Sequence, residues 1–292
     1  MYQGKCQIPN PKITTHKSKG SIHAGLPKGK EELVYGLNTY IIGNQTNPRA
    51  IIVVDSDVFG LNLPNNKLIA DSYAASGEYL VYMPDFFKGD PLALKIADLL
   101  IPVDEKKLGT FAKYTGLLAS APSFAAWSMR HKAGPTDEIA TTFLRELRKA
   151  TPEGRKIGIV GMCWGGRYAI RSGLESKMIE IEGRGRVPLV DAVVALHPSN
   201  LVFPDDFDKL VVPVSFGWGV KDQLVSYETK GKVEDVLKKE TAAGRKVPEM
   251  QHVSYEPGRH GFSVRGNPDD PAERKILEDT VTQVLDWFKK WL

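Results

Sequence analysis

Cysteine is scarce in this chain. Its 292 residues include two, Cys6 and Cys163, so a small disulfide-stapled secreted fold is excluded and a reducing compartment fits better. His16 and His23 do not combine with Cys6 at a usual zinc spacing, so no metal is expected. No apolar run reaches 18 residues, which excludes a membrane-spanning helix. The opening Met1-Tyr2-Gln3-Gly4-Lys5-Cys6 lacks the apolar core of a secretory signal, and a cytoplasmic location is expected. The sequon Asn44-Gln45-Thr46 is then idle. Lys and Arg number 39 against 35 Asp and Glu, a net charge of +4. No run of five or more basic residues occurs, so nucleic acid is not an expected partner. The mild positive balance tolerates an anionic small substrate. There is no internal repeat, low-complexity tract, interdomain linker, G-x-G-x-x-G or G-K-[ST], so nucleotide binding has no support.

What remains is ordinary globular material, 42% apolar and 25% charged, and residues 1–292 are read as one domain. Residues 1–33 read as an irregular lead-in. Apolar strand-like runs then alternate with helical patterns. Strands are expected over 34–43, 49–55, 78–84, 156–161, 190–196, 210–217 and 251–256, and the block Ile51-Ile52-Val53-Val54 reads as buried on both faces. A helix is expected over 65–77, ending at Gly77. A second spans 137–149, with Ile139, Phe143 and Leu147 on one stripe. A third begins at Asp270 as N-cap, with Pro271 at its first position and Glu273 closing a capping box. The repeating β and α pattern predicts an α/β fold, a mostly parallel sheet with helices on both faces.

Residues 86–134 break that rhythm. They separate two consecutive strands by far more than a standard crossover. They contain an expected helix over 91–100, then Phe111, Tyr114, Phe124 and Trp127. An insertion on the C-terminal side of such a sheet commonly covers a binding site, so 86–134 is read as a lid-like segment, with Phe124 and Trp127 as candidate substrate contacts. The plainer reading is that these aromatics only pack the insertion onto the domain.

The stretch Gly161-Met162-Cys163-Trp164-Gly165 follows a strand and opens a helix. It has the spacing of the nucleophile elbow G-x-S-x-G, with Cys as the nucleophile. The glycines are needed because side chains two positions either side would strike the neighbouring strand and helix. A buried Cys in a chance G-x-C-x-G is more often a small hydrophobe. An elbow nucleophile needs an acid and then a base downstream. Three histidines follow Cys163. His252 lies inside an expected strand and reads as structural, and His197 ends a strand and reads as packing. His260, in a loop after the final strand, is the expected base. Asp222 follows the preceding strand and a glycine-bearing turn, where it can reach Nδ1 of the imidazole. Each has a plainer role, Asp222 as a helix cap and His260 as a loop hydrogen-bond donor. Together they form the expected triad. The backbone N–H groups of Trp164 and Val58 are the candidate oxyanion donors, with Asp57 beside Val58.

The set Ser56-Asp57-Val58-Phe59-Gly60, Met83-Pro84-Asp85-Phe86-Phe87, Gly161-Met162-Cys163-Trp164-Gly165-Gly166, Gly217-Trp218-Gly219-Val220-Lys221-Asp222 and Arg259-His260-Gly261-Phe262 resembles the dienelactone hydrolase family of α/β-hydrolases. The lead-in His23-Ala24-Gly25-Leu26-Pro27-Lys28-Gly29 and Leu37-Asn38-Thr39-Tyr40 resemble its fungal branch. The resemblance covers about residues 20–290. It implies a cofactor-free, cytoplasmic Cys–Asp–His hydrolase of cyclic enol esters and related lactones, taking a small-molecule lactone or ester and compatible with a homodimer. In the bacterial type member a glutamate stands at the place of Asp57 and holds the resting thiol. Its arginines, which bind the substrate carboxylate, have their nearest matches here in Lys88 and Arg265. The 86–134 insertion departs from the compact bacterial form and points to a bulkier substrate. The same residues would also serve acyl transfer, thioester hydrolysis or cyclisation, and a non-catalytic binding or redox-sensing protein is the alternative from another class.

Overall fold

The structure, a computed structural model, describes residues 25–97, 101 and 110–292. The expectations for residues 1–24, which include Cys6, His16 and His23, lie outside the described residues, as do the side chains of Phe111 and Tyr114. In chain order the strands are β1 (Lys30–Val34), β2 (Leu37–Gly43), β3 (Ala50–Asp55), β4 (Tyr79–Pro84), β5 (Lys156–Met162), the short hairpin β6 (Ile179–Ile181) and β7 (Gly185–Val187), then β8 (Ala192–Leu196), β9 (Val214–Gly219) and β10 (Met250–Tyr255). The helices are α1 (Pro64–Ala74), α2 (Thr110–Arg130), α3 (Ala133–Ala150), α4 (Trp164–Ser172), α5 (Thr229–Ala242), the single turn α6 (Phe262–Arg265) and α7 (Pro271–Trp291).

Among the described residues an eight-stranded sheet runs β1-β2-β4-β3-β5-β8-β9-β10. Every pairing from β4 to β10 is parallel, and β1 and β2 add an antiparallel edge. Strands β3, β8 and β9 are buried at every position, as continuous apolar runs in a covered parallel sheet require. Alternation along β5 shows the cover to be two-sided. A Cβ on Gly158 would meet Phe288 and Leu292 at the end of α7, whereas one on Gly161 would meet Ala169 of α4. Positions three apart on a strand face opposite ways, so α7 and α4 lie on opposite faces.

Several boundaries differ from the sequence expectation. The run 34–43 is not one strand, and the lead-in does not stay irregular to residue 33. Tyr35 and Gly36 both have positive φ, 47° and 82°, and turn β1 back onto β2. That two-residue turn matches the strand twist, but a tyrosine at its first position hides it from the usual Asn-Gly signal. The strand expected from residue 210 begins at Val214, since Pro213 has no N–H for the ladder. In the expected 91–100 helix, residues 91–93 are not helical and a 3₁₀ turn, Leu94–Ile96, follows. At α7 the Asp270 side chain accepts from the Ala272 and Glu273 amides. Glu273 does not close the box: its carboxylate accepts from Arg259 Nη2 at 2.8 Å and from the Asn267 amide at 2.7 Å. A cation one residue from His260 thus outcompetes a backbone amide for that carboxylate.

Candidate active site

Cys163 sits between β5 and α4 with φ 53° and ψ −116°. For a side chain other than glycine that conformation stores on the order of 1–3 kcal/mol and persists only where the surroundings enforce it. The flanking glycines show how. A Cβ on Gly161 would overlap the Gly165 carbonyl oxygen, and one on Gly165 would overlap the carbonyl oxygens of Asp55 and Ser56 at the end of β3. A Cβ on Gly166 would stand 2.8 Å from Cβ of Pro198. The Cys163 amide donates to the Leu196 carbonyl (3.0 Å) and its carbonyl accepts from the Ser199 amide (2.9 Å). The bend is therefore clamped from both adjoining strands.

Around it the structure gathers groups from the C-terminal ends of the parallel strands, the usual location of a site in such a sheet. Nε2 of His260, on the loop after β10, is 3.0 Å from Sγ of Cys163. Nδ1 of His260 is 2.8 Å and 3.0 Å from the two carboxylate oxygens of Asp222, which follows β9. Asp222 Oδ1 also accepts from the amides of Leu224 and Val225, both at 2.8 Å. These bonds fix the acid, the acid fixes the imidazole tautomer, and the second ring nitrogen is left facing sulfur. The loop is held in turn by the Gln223 side chain, which accepts from the His260 amide (3.1 Å). Burial alone would pull the His260 imidazole down. The charge of Cys163 and the hydrogen bonds with Asp222 and Cys163 overcome it and raise its pKa, favouring the imidazolium form.

Trp164 is the first residue of α4, so its N–H has no partner within the helix. In the turn after β3, the Phe59 amide donates to Asp57 Oδ1 and the Gly60 amide to the Asp57 carbonyl. No acceptor among the described residues stands against the Val58 N–H. Neither amide expected to hold an oxyanion has a hydrogen-bond acceptor among the described residues.

The other expected residues are placed differently. Asp57 is buried, and its Oδ1 also accepts from Asn66 (2.8 Å). Burial raises its pKa, opposed by the bonds from Asn66 and Phe59. It braces the loop that carries Val58. Lys88 is exposed on a turn with φ 53°. Arg265 is buried, donates through Nε to the Ile101 carbonyl (3.1 Å) and lies 5.9 Å over the Phe59 ring. Trp127 of α2 is buried against Phe87 and Trp164 and donates Nε1–H to the Asp90 carbonyl at 2.9 Å. Phe124 is 38% exposed and flanks Trp127 at 6.0 Å between centroids. The insertion therefore packs directly on the residue that follows Cys163. His252 accepts from Trp218 Nε1 (3.0 Å), in line with a structural role.

Three features were not legible beforehand. Ser199 Oγ lies 3.7 Å from Sγ. His197, read as packing, has its ring 5.1 Å from that of His260. Asp55, at the end of β3, is fully buried with no hydrogen-bond partner on either carboxylate oxygen. A polar residue closing an apolar strand, and His-Pro-Ser directly after β8, were the available signals.

The sheet order and the clamped strand-to-helix bend define an α/β-hydrolase. The chain belongs to the dienelactone hydrolase family, whose model matches residues 37–292. It is 30% identical over 277 residues to the hydrolase pyvD of Aspergillus violaceofuscus, covering 94% of each chain. It is 23% identical over 266 residues to a carboxymethylenebutenolidase homolog of Xenopus tropicalis, covering 91% of this chain and 92% of that one. The crystal structure of dienelactone hydrolase from Anabaena variabilis superposes with a TM-score of 0.53 at 14% identity, over 90% of this chain and 99% of that one, a likeness of fold. Among the described residues no helix is long and apolar enough to cross a membrane.

Proposed function

We propose that the protein opens a lactone or an activated enol ester through a thioester on Cys163. The observation that carries this reading is the unbroken chain from Asp222 through His260 to Sγ, at 2.8 Å and 3.0 Å. Nε2 of His260 takes the thiol proton, and the thiolate attacks the carbonyl carbon. The Val58 and Trp164 amides receive the oxyanion, each worth on the order of 3 kcal/mol when well placed. As the tetrahedral centre collapses, the C–O bond breaks and the leaving oxygen takes the proton from the imidazolium. Water, activated by the imidazole, then cleaves the thioester to acid and thiol. A stabilised enolate leaves readily, so a thiolate suits this substrate class, and the family relationship to a carboxymethylenebutenolidase homolog supports it. Phe124, beside Trp127 on the insertion, is the side chain through which the insertion would meet a substrate bulkier than a simple dienelactone.

The test is intact-mass spectrometry after mixing with a panel of lactones and enol esters. An acyl adduct on Cys163 that forms and then decays is the expected result. Cys163→Ala should show neither adduct nor turnover, and full turnover in that variant would overturn the proposal. Added thiol or amine nucleophiles separate hydrolysis from acyl transfer by the product formed.

A further inference from the structure

The proposed reaction makes no use of His197, which nonetheless borders it. This residue follows β8 in a left-handed conformation, φ 39°, and is 1% exposed. Its Nε2 is 2.7 Å from Ser263 Oγ, while Nδ1 is buried with no hydrogen-bond partner. One ring nitrogen of His197, one of His260 and Sγ of Cys163 all lie within 4.8 Å of one another. A buried imidazole nitrogen without a partner is a departure from the rule that such groups are satisfied. The same side chain belongs to a cluster of one thiol and two imidazoles. We propose that Cys163, His260 and His197 form an inhibitory site for a thiophilic divalent cation, zinc above all, which silences the nucleophile by coordinating it directly.

The donors fit that ion. One thiolate and two imidazoles are the ligand types zinc prefers, with a water completing four-coordination. His260 already gives its other N–H to Asp222, the arrangement that orients an imidazole bound to zinc. On His197, an Nε2–H donated to Ser263 leaves the lone pair on Nδ1. Tetrahedral zinc at ordinary bond lengths sets sulfur–nitrogen contacts of ~3.5 Å and nitrogen–nitrogen contacts of ~3.3 Å.

The resting Cys163–His260 pair holds one proton, on sulfur or on Nε2. The cation forms its bonds to both atoms and that proton passes to solvent. No sequence spacing announces the site, because residues 163, 197 and 260 meet only through the sheet.

The test titrates the whole protein with zinc and with cobalt(II), without substrate, so its outcome does not depend on whether an ester is cleaved. One equivalent should bind and release one proton, with a sulfur-to-cobalt charge-transfer band. His197→Asn, which tolerates the left-handed backbone, should weaken zinc at least tenfold. Zinc K-edge absorption on the wild-type protein decides the ligand set independently of any variant: one sulfur and two imidazole nitrogens are expected. A single imidazole, unchanged zinc affinity in His197→Asn, or binding that survives Cys163→Ser would each overturn the proposal.

Discussion

The indole of Trp127 meets that of Trp164 at 6.2 Å between centroids and 60° between planes. This contact ties α2 of the insertion to the first residue after Cys163. Trp127→Ala removes a buried indole and leaves the Asp90 carbonyl without its donor. Loss of roughly 3–5 kcal/mol of stability is expected in urea denaturation. Trp127→Phe should lose much less, and equal losses would show that the indole N–H, not the ring, decides.

His260→Ala should lower turnover at least a hundredfold, as loss of a general base requires, with the fold kept by circular dichroism. Near-normal turnover would remove the imidazole from the mechanism.

The raised pKa of His260 gives a second reading of the same pair. Removing the sulfur in Cys163→Ala should move the imidazole titration to lower pH, followed by NMR of the ring C–H. The sign for stability follows. A folded pKa above the ordinary histidine value makes the pair stabilising in full below that ordinary value, and the contribution fades as pH rises through the folded value. Cys163→Ala should flatten that alkaline fall, and an unmoved titration would contradict the coupling.

Gly165→Ala would force a methyl group into the Asp55 and Ser56 carbonyl oxygens. Backbone cannot yield there without separating α4 from β3. A loss of folded protein, or of several degrees in Tm, is expected, whereas Gly231→Ala, with open space around its α-carbon, should be neutral or better.

Asp55 offers a pH dependence of the same sign from a carboxyl group. Burial, and then the charge of Asp137, hold its carboxyl well above the ordinary range. The folded state then keeps a proton that the unfolded state loses above about pH 4, so this group lowers stability as pH rises, by at most about 1.4 kcal/mol per unit. Asp55→Asn should remove that fall. Denaturation midpoints at several pH values measure it, and identical slopes in the two proteins would exclude a protonated Asp55.

The parallel core was legible in the sequence because β3, β5 and β8 are short apolar blocks between turn residues, and local pattern decides burial on both faces. The meeting of Cys163, Asp222 and His260 was legible for a similar reason: each lies a few residues past the end of a strand, and strand ends converge in a parallel sheet. Other features depended on partners distant in the chain. Glu273 goes to Arg259 instead of its own helix cap, Arg265 is buried against Ile101 and Phe59, and Tyr35-Gly36 turns a strand into a hairpin. Likewise, no local pattern says that His197 stands edge-on to His260, because that contact depends on β8 lying between β5 and β9. Composition and spacing determined what the chain could build; packing of the finished sheet decided which polar groups were left without partners, and where.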